Sequence, residues 1–111
     1  MTDAPEENDR TKIFVVHCKI SKYDVYVGRP SIFGNIYSHK NDTKATHRTK
    51  TQEEAVQKYA EWIATQEDIL AEIPSLKGKI LGCWCAPKNG LSCSTTPYIC
   101  HAQILAELAN F

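Results

Sequence analysis

Residues 80–85 read Ile80-Leu81-Gly82-Cys83-Trp84-Cys85, and Ala86-Pro87 follow. The run is apolar on nearly every position, with a Lys77-Gly78 turn before it and a proline after it. An unalternating run of this length is what a strand covered on both faces needs. Ile13-Phe14-Val15-Val16-His17-Cys18 has the same character, rich in β-branched residues. Val25-Tyr26-Val27 reads as a shorter strand, closed by Gly28-Arg29-Pro30. Helical spacing separates these runs. Thr51-Gln52-Glu53-Glu54 fits a capping box, and Ala55, Val56, Tyr59, Trp62 and Ile63 then recur on one apolar face. Tyr59 and Trp62 are read as core residues, because aromatic side chains dominate burial.

A short helix is predicted over residues 67–72, stopped ahead of Pro74. Gly34-Asn35 reads as a turn, residues 39–50 as a basic surface loop, and residues 86–99 as a loop containing Pro87, Gly90 and Pro97. A last helix over residues 100–108 presents Ile104, Leu105 and Leu108. The interleaving of strands and helices predicts an α/β fold, a small single-domain sandwich. Its sheet is short, mostly buried, largely parallel and packed by helices. If the run at residues 80–85 lies parallel to the first one, the helix after Thr51 belongs to a right-handed crossover.

Length allows one domain, expected over residues 13–111, after a disordered polar lead-in at residues 1–12. Lysine and arginine number 13, and aspartate and glutamate 13, so no sequence-wide basic field exists to capture nucleic acid. No stretch approaches the ~20 apolar residues of a membrane span. The first twelve residues lack the apolar core of a signal peptide. The expected compartment is the cytoplasm, that of the host if the gene is carried by a phage. The five cysteines are then expected to be reduced, and their odd number argues against a complete set of disulfides.

Chemistry concentrates at Cys83, Cys85, Cys100 and His101. Cys83 and Cys85 are two apart, so on a strand they point to one side. Three thiols and one imidazole are the donor set of a tetrahedral zinc site. Two features strain that reading. Cys-x-Cys is tighter than the usual Cys-x2-Cys knuckle, and neighbouring residues on a helix diverge by about 100°. Convergence of all four therefore requires Cys100 to sit outside regular helix, and Cys93 is a possible substitute ligand. The same residues also suit catalysis, with Cys85 as a thiolate nucleophile or redox centre and His101 beside it. A third reading makes the cysteines small buried hydrophobes, which fits Cys18 best and then Cys83.

Arg29, after a strand end and before a rigid proline, is placed to hold a phosphate or carboxylate in its planar fork. An ordinary surface salt bridge explains it equally well. Gly28, Gly34 and Asn35 complete the candidate ligand site, the glycines by close backbone approach and Asn35 by orienting a substrate. His17 is read as a satisfied core histidine.

These motifs resemble a known family. Val15-Val16-His17-Cys18-Lys19, Val25-Tyr26-Val27-Gly28-Arg29-Pro30, Phe33-Gly34-Asn35, the Gly82–Pro87 block and Cys100-His101 look like the family filed as domain of unknown function 4326, small bacterial and phage α/β domains. The resemblance spans residues 13–109 and implies fold boundaries and site positions rather than a reaction. The chain departs from the family pattern in three places. Ile36-Tyr37 stand where proline and an aromatic are usual, residues 89–99 are inserted, and Ala102-Gln103 replace a glycine and an acidic residue.

Three functions are compatible with these residues. The first is a zinc-binding domain that recognises a phosphate-bearing ligand, either a nucleotide or nucleic acid. The second is a small nucleotide-processing enzyme using Cys and His or metal-bound water. The third is a phage or mobile-element accessory protein that binds a host protein.

Overall fold

The computed structural model describes residues 9–38 and 47–111. The apolar runs form its sheet. Ile13–His17 is β1, Val25–Tyr26 is β2, Tyr37–Ser38 is β3, His47–Arg48 is β4, Leu81–Cys83 is β5 and Leu91–Ser92 is β6. The main sheet has the order β2-β5-β1-β6. β5 is central and parallel to both neighbours, with Val15 opposite Leu81, His17 opposite Cys83, and Tyr26 opposite Gly82. All three residues of β5 are buried, as its unalternating sequence requires. The fold is α/β with a mostly parallel sheet. β6 alone runs antiparallel, Leu91 lying opposite Val15.

β6 comes from the segment read as a loop. Gly90 adopts φ 79°, and a Cβ there would stand 2.6 Å from Ile13 and 2.9 Å from the Val15 carbonyl. The chain can thus double back against β1 only with glycine at this position. Once there, Leu91 and Ser92 cover the edge of β1 that would otherwise present unpaired backbone groups. β3 and β4 form a separate two-stranded parallel pair. His47 and Arg48 are therefore strand rather than loop. The rest of the predicted basic loop, residues 39–46 with His39, Lys40 and Lys44, lies outside the described residues, as do residues 1–8 of the predicted lead-in.

α1 spans Gln52–Ile63 and starts as predicted. Thr51 Oγ1 accepts the Glu54 N–H at 3.0 Å, a cap worth about 1 kcal/mol. The Glu54 carboxylate reaches one residue further back than a capping box requires and accepts the Lys50 N–H at 2.8 Å. Ala55, Val56, Tyr59 and Ile63 are buried, and Trp62 packs half-buried against them. The Tyr59 hydroxyl donates to the Phe33 carbonyl at 2.7 Å, so burying the ring strands no polar group.

α2, Glu67–Glu72, runs into a 3-10 turn at Ile73–Leu76 that contains Pro74. α3, His101–Asn110, packs on that turn, on α1 and on β1 and β5. Its buried residues are His101, Ala102, Gln103, Leu105 and Ala106, while Leu108 is exposed. Small alanines let the helix approach its neighbours closely, and Leu108, expected inside, turns outward. Among the described residues no helix is long and apolar enough to cross a membrane.

Candidate metal centre

The carboxyl ends of the parallel strands β1, β2 and β5 share one rim, where open α/β sheets gather ligands. Three pieces of chain converge there. Cys83 closes β5, Cys85 follows two residues on, and Cys100-His101 open α3. Cys100 is the N-cap of α3, with extended backbone at φ −138° and ψ 134°. It lies outside regular helix, so the ~100° divergence from His101 does not apply and both side chains reach the same point. The four ligand atoms of Cys83, Cys85, Cys100 and His101 all lie within 4.8 Å of one another. Cys83 Sγ is 3.4 Å from Cys85 Sγ and 3.9 Å from His101 Nδ1. A tetrahedral ion with metal–sulfur bonds of about 2.3 Å sets its ligand atoms roughly 3.7 Å apart. These four groups can hold a metal ion.

His101 is 4% exposed. Its Nε2 lies 2.7 Å from the Val27 carbonyl, which can only accept, so Nε2 carries the proton. The lone pair then sits on Nδ1, the atom facing Cys83. A backbone carbonyl holding the far nitrogen of a ligand histidine is a recurrent feature of metal sites. Burial pushes the imidazole pKa down to about 4; the Val27 bond opposes that shift and the Arg29 charge adds to it. The ring is therefore neutral at pH 7, as a ligand must be. Burial also raises the Cys83 thiol.

Cys85 and Cys100 are in direct sulfur contact, their Cα atoms 5.5 Å apart, within the range a disulfide spans. The same two sulfurs can thus be cross-linked or share an ion. Cys93 is not part of the group. It follows β6, on the far side of β1 from β5, and Tyr98 donates to its carbonyl at 3.0 Å. Cys18 is only half-buried, in contrast to its reading as a core thiol. His17 is half-buried too, its Nδ1 accepting the Lys19 N–H at 3.1 Å.

The domain of unknown function DUF4326 matches residues 15–111. The chain belongs to this family. A relative within reach is the uncharacterized protein R718 of Acanthamoeba polyphaga mimivirus, 33% identical over 93 residues, covering 80% of this chain and 68% of the relative. No solved structure matches.

In this DUF4326 chain a cleft of about 720 Å³ opens beside the metal-ligand cluster. Cys83, Cys85 and His101 form one wall, and Gly28, Arg29 and Asn35 another. The two candidate sites are therefore one place. Arg29 Nη1 donates to the Asn35 carbonyl at 2.7 Å, and among the described residues no carboxylate pairs with this guanidinium. Asn35 is buried, and its amide is engaged at both ends: Nδ2 donates to the Ala55 carbonyl at 3.1 Å, and Oδ1 accepts the Tyr37 N–H at 2.8 Å. Its side chain fixes the wall.

The glycines serve close packing. A Cβ at Gly28 would meet the Tyr26 hydroxyl at 2.4 Å, and that hydroxyl donates to the Arg29 carbonyl at 2.8 Å. A Cβ at Gly34 would stand 2.9 Å from Arg29 Cγ and 3.0 Å from Arg29 Cα. Backbone must move to admit it, so Gly34→Ala is expected to cost roughly 1–3 kcal/mol. A lower urea midpoint at unchanged slope is the measurement.

Sequence reasoning passed over Tyr26, Tyr37, Gln52 and Ile99 as cleft residues. Only Tyr26 carried a signal, as an aromatic two residues before Gly28 at a strand end.

Proposed function

We propose that the chain is a zinc-binding domain whose cleft takes a phosphate-bearing ligand on Arg29. The observation that carries this reading is the convergence of three sulfurs and a neutral imidazole beside the cleft that Arg29 lines, with Cys83, Cys85 and His101 part of its lining. Three soft thiolates and one nitrogen suit zinc, and four protein ligands make the site structural, with no position left open for a water. Nucleophilic catalysis by Cys85 with His101 as base is less well supported. A base that is buried and holds its proton only below about pH 4 is poorly matched to accepting one at neutral pH. Its Nδ1 also faces Cys83 rather than Cys85.

Elemental analysis with thiol counting on reduced protein tests the metal half. One zinc per chain is expected, lost in Cys83→Ser and kept in Cys93→Ser. Zinc-free protein with Cys85 and Cys100 blocked to thiol reagents would instead assign that pair to a disulfide and end the zinc reading. Calorimetry with ribose 5-phosphate tests the other half, binding being expected in the wild-type chain and lost in Arg29→Ala.

A further inference from the structure

The cleft has a neighbour. A second hollow of about 320 Å³ is lined by Cys18, Lys19, Tyr23 and Pro30, and it shares Tyr26, Arg29 and Trp84 with the main cleft. Trp84 stands between the two cluster cysteines in sequence, yet its side chain is 56% exposed. It is held in place despite that exposure. The His17 ring meets it edge-on at 5.5 Å, and Lys19 Nζ lies 5.5 Å from its ring centre. A large aromatic plane fixed at the mouth of a cleft gains nothing for the core. It offers a surface on which a flat ring can stack.

The charge around it is one-sided. The chain carries 13 acidic residues, but none of the described residues lining either hollow is acidic, whereas Lys19 and Arg29 are basic. The complementary ligand is an anion bearing a flat, polarisable ring. We propose that this site binds a mononucleotide, its base stacked on Trp84 and its phosphate held by Arg29 and Lys19. This rests on the phosphate reading above and adds the base. The main cleft falls within the size range of small-molecule sites, roughly 300–1,000 Å³. A polymer is disfavoured, because a chain of zero net charge lacks the field that recruits nucleic acid.

Trp62→Phe leaves Trp84 as the one tryptophan of the chain, so its fluorescence reports the site. AMP, GMP, CMP, UMP and ribose 5-phosphate are titrated into the zinc-loaded protein, with calorimetry in parallel. At least one nucleotide is expected to quench Trp84 and to bind roughly tenfold tighter than ribose 5-phosphate, the scale of one stacked base. Trp84→Leu is expected to erase that advantage and leave ribose 5-phosphate affinity unchanged, while Trp84→Phe keeps part of it. Zinc content, measured on every variant, shows that the neighbouring cysteines are undisturbed. Equal binding of nucleotides and ribose 5-phosphate would overturn the stacking role and leave the phosphate reading standing. Binding of a ten-residue oligonucleotide without any mononucleotide would overturn the ligand class. Absence of binding by every probe would overturn both readings.

Discussion

Chelating zinc from the reduced protein is expected to abolish its cooperative thermal unfolding. The centre ties the end of β5 and the residue beyond it to the start of α3, so losing the ion unlinks the central strand from the helix that covers it. Apparent binding free energies of structural zinc run to about 10–16 kcal/mol, and whole domains are stable by about 5–15 kcal/mol. An ion held by this cluster is thus expected to be worth as much as the fold. Melting followed by circular dichroism, with reductant present and zinc then restored, is the measurement. A transition that survives chelation unchanged would sink the structural role. Oxidised protein provides the internal comparison. Cys85 and Cys100 are 15 residues apart, and a cross-link closing a loop of that length contributes about 3 kcal/mol. A Cys85–Cys100 disulfide joins the same two elements, so oxidised metal-free protein is expected to regain a cooperative transition, at a lower temperature than that of the zinc-loaded form.

The parts of this fold legible in sequence are those with repetition. Unalternating apolar runs located β1 and β5, and helical spacing with a threonine cap located α1. Cys83, Cys85, Cys100 and His101 were visible as a donor set, and the condition for their convergence, Cys100 outside the helix, is met by its N-cap conformation. Three of the short strands were hidden for a physical reason. β3, β4 and β6 have two residues each and lack the β-branched and aromatic run that marks the equally short β2, so neither period nor composition signals them. Of the face expected on α3, Leu105 is buried and Ile104 packs half-buried, while Leu108 is exposed; it was expected inside because leucine outranks alanine in any apolar pattern. Packing chose Ala102 and Ala106, whose small size sets how closely the helix approaches. Trp84 was legible as part of a motif but not as an exposed plane, since its neighbours Gly82, Cys83 and Ala86 are all buried.

Gln103→Leu is expected to destabilise the protein by roughly 3–4 kcal/mol, since the Ile99 and Cys100 N–H groups and the Thr95 carbonyl lose their partner at about 1 kcal/mol or more each, while the Ser92 carbonyl keeps the Thr95 N–H. Gln103 is fully buried. Its Oε1 accepts the Ile99 N–H at 2.9 Å and the Cys100 N–H at 3.2 Å, while its Nε2 donates to the Ser92 and Thr95 carbonyls at 3.0 Å each. The acceptor half caps α3 and fixes Cys100 where it can turn its sulfur to the cluster. The donor half anchors the segment at residues 89–99, to which Ser92 and Thr95 both belong. A carboxylate at this position can serve the two N–H groups but has no proton for the two carbonyls. Anchoring this segment to the helix therefore demands an amide, which Gln103 supplies. The two substitutions separate these roles. Gln103→Glu keeps the cap on Cys100 and gives up only the bonds to the Ser92 and Thr95 carbonyls, so zinc affinity is expected to hold while the segment loosens, seen as faster amide exchange at residues 91–95. Gln103→Leu frees Cys100 as well, so zinc affinity is expected to fall together with stability. Equal zinc affinity in both variants would show that the Cys100 cap is independent of the glutamine.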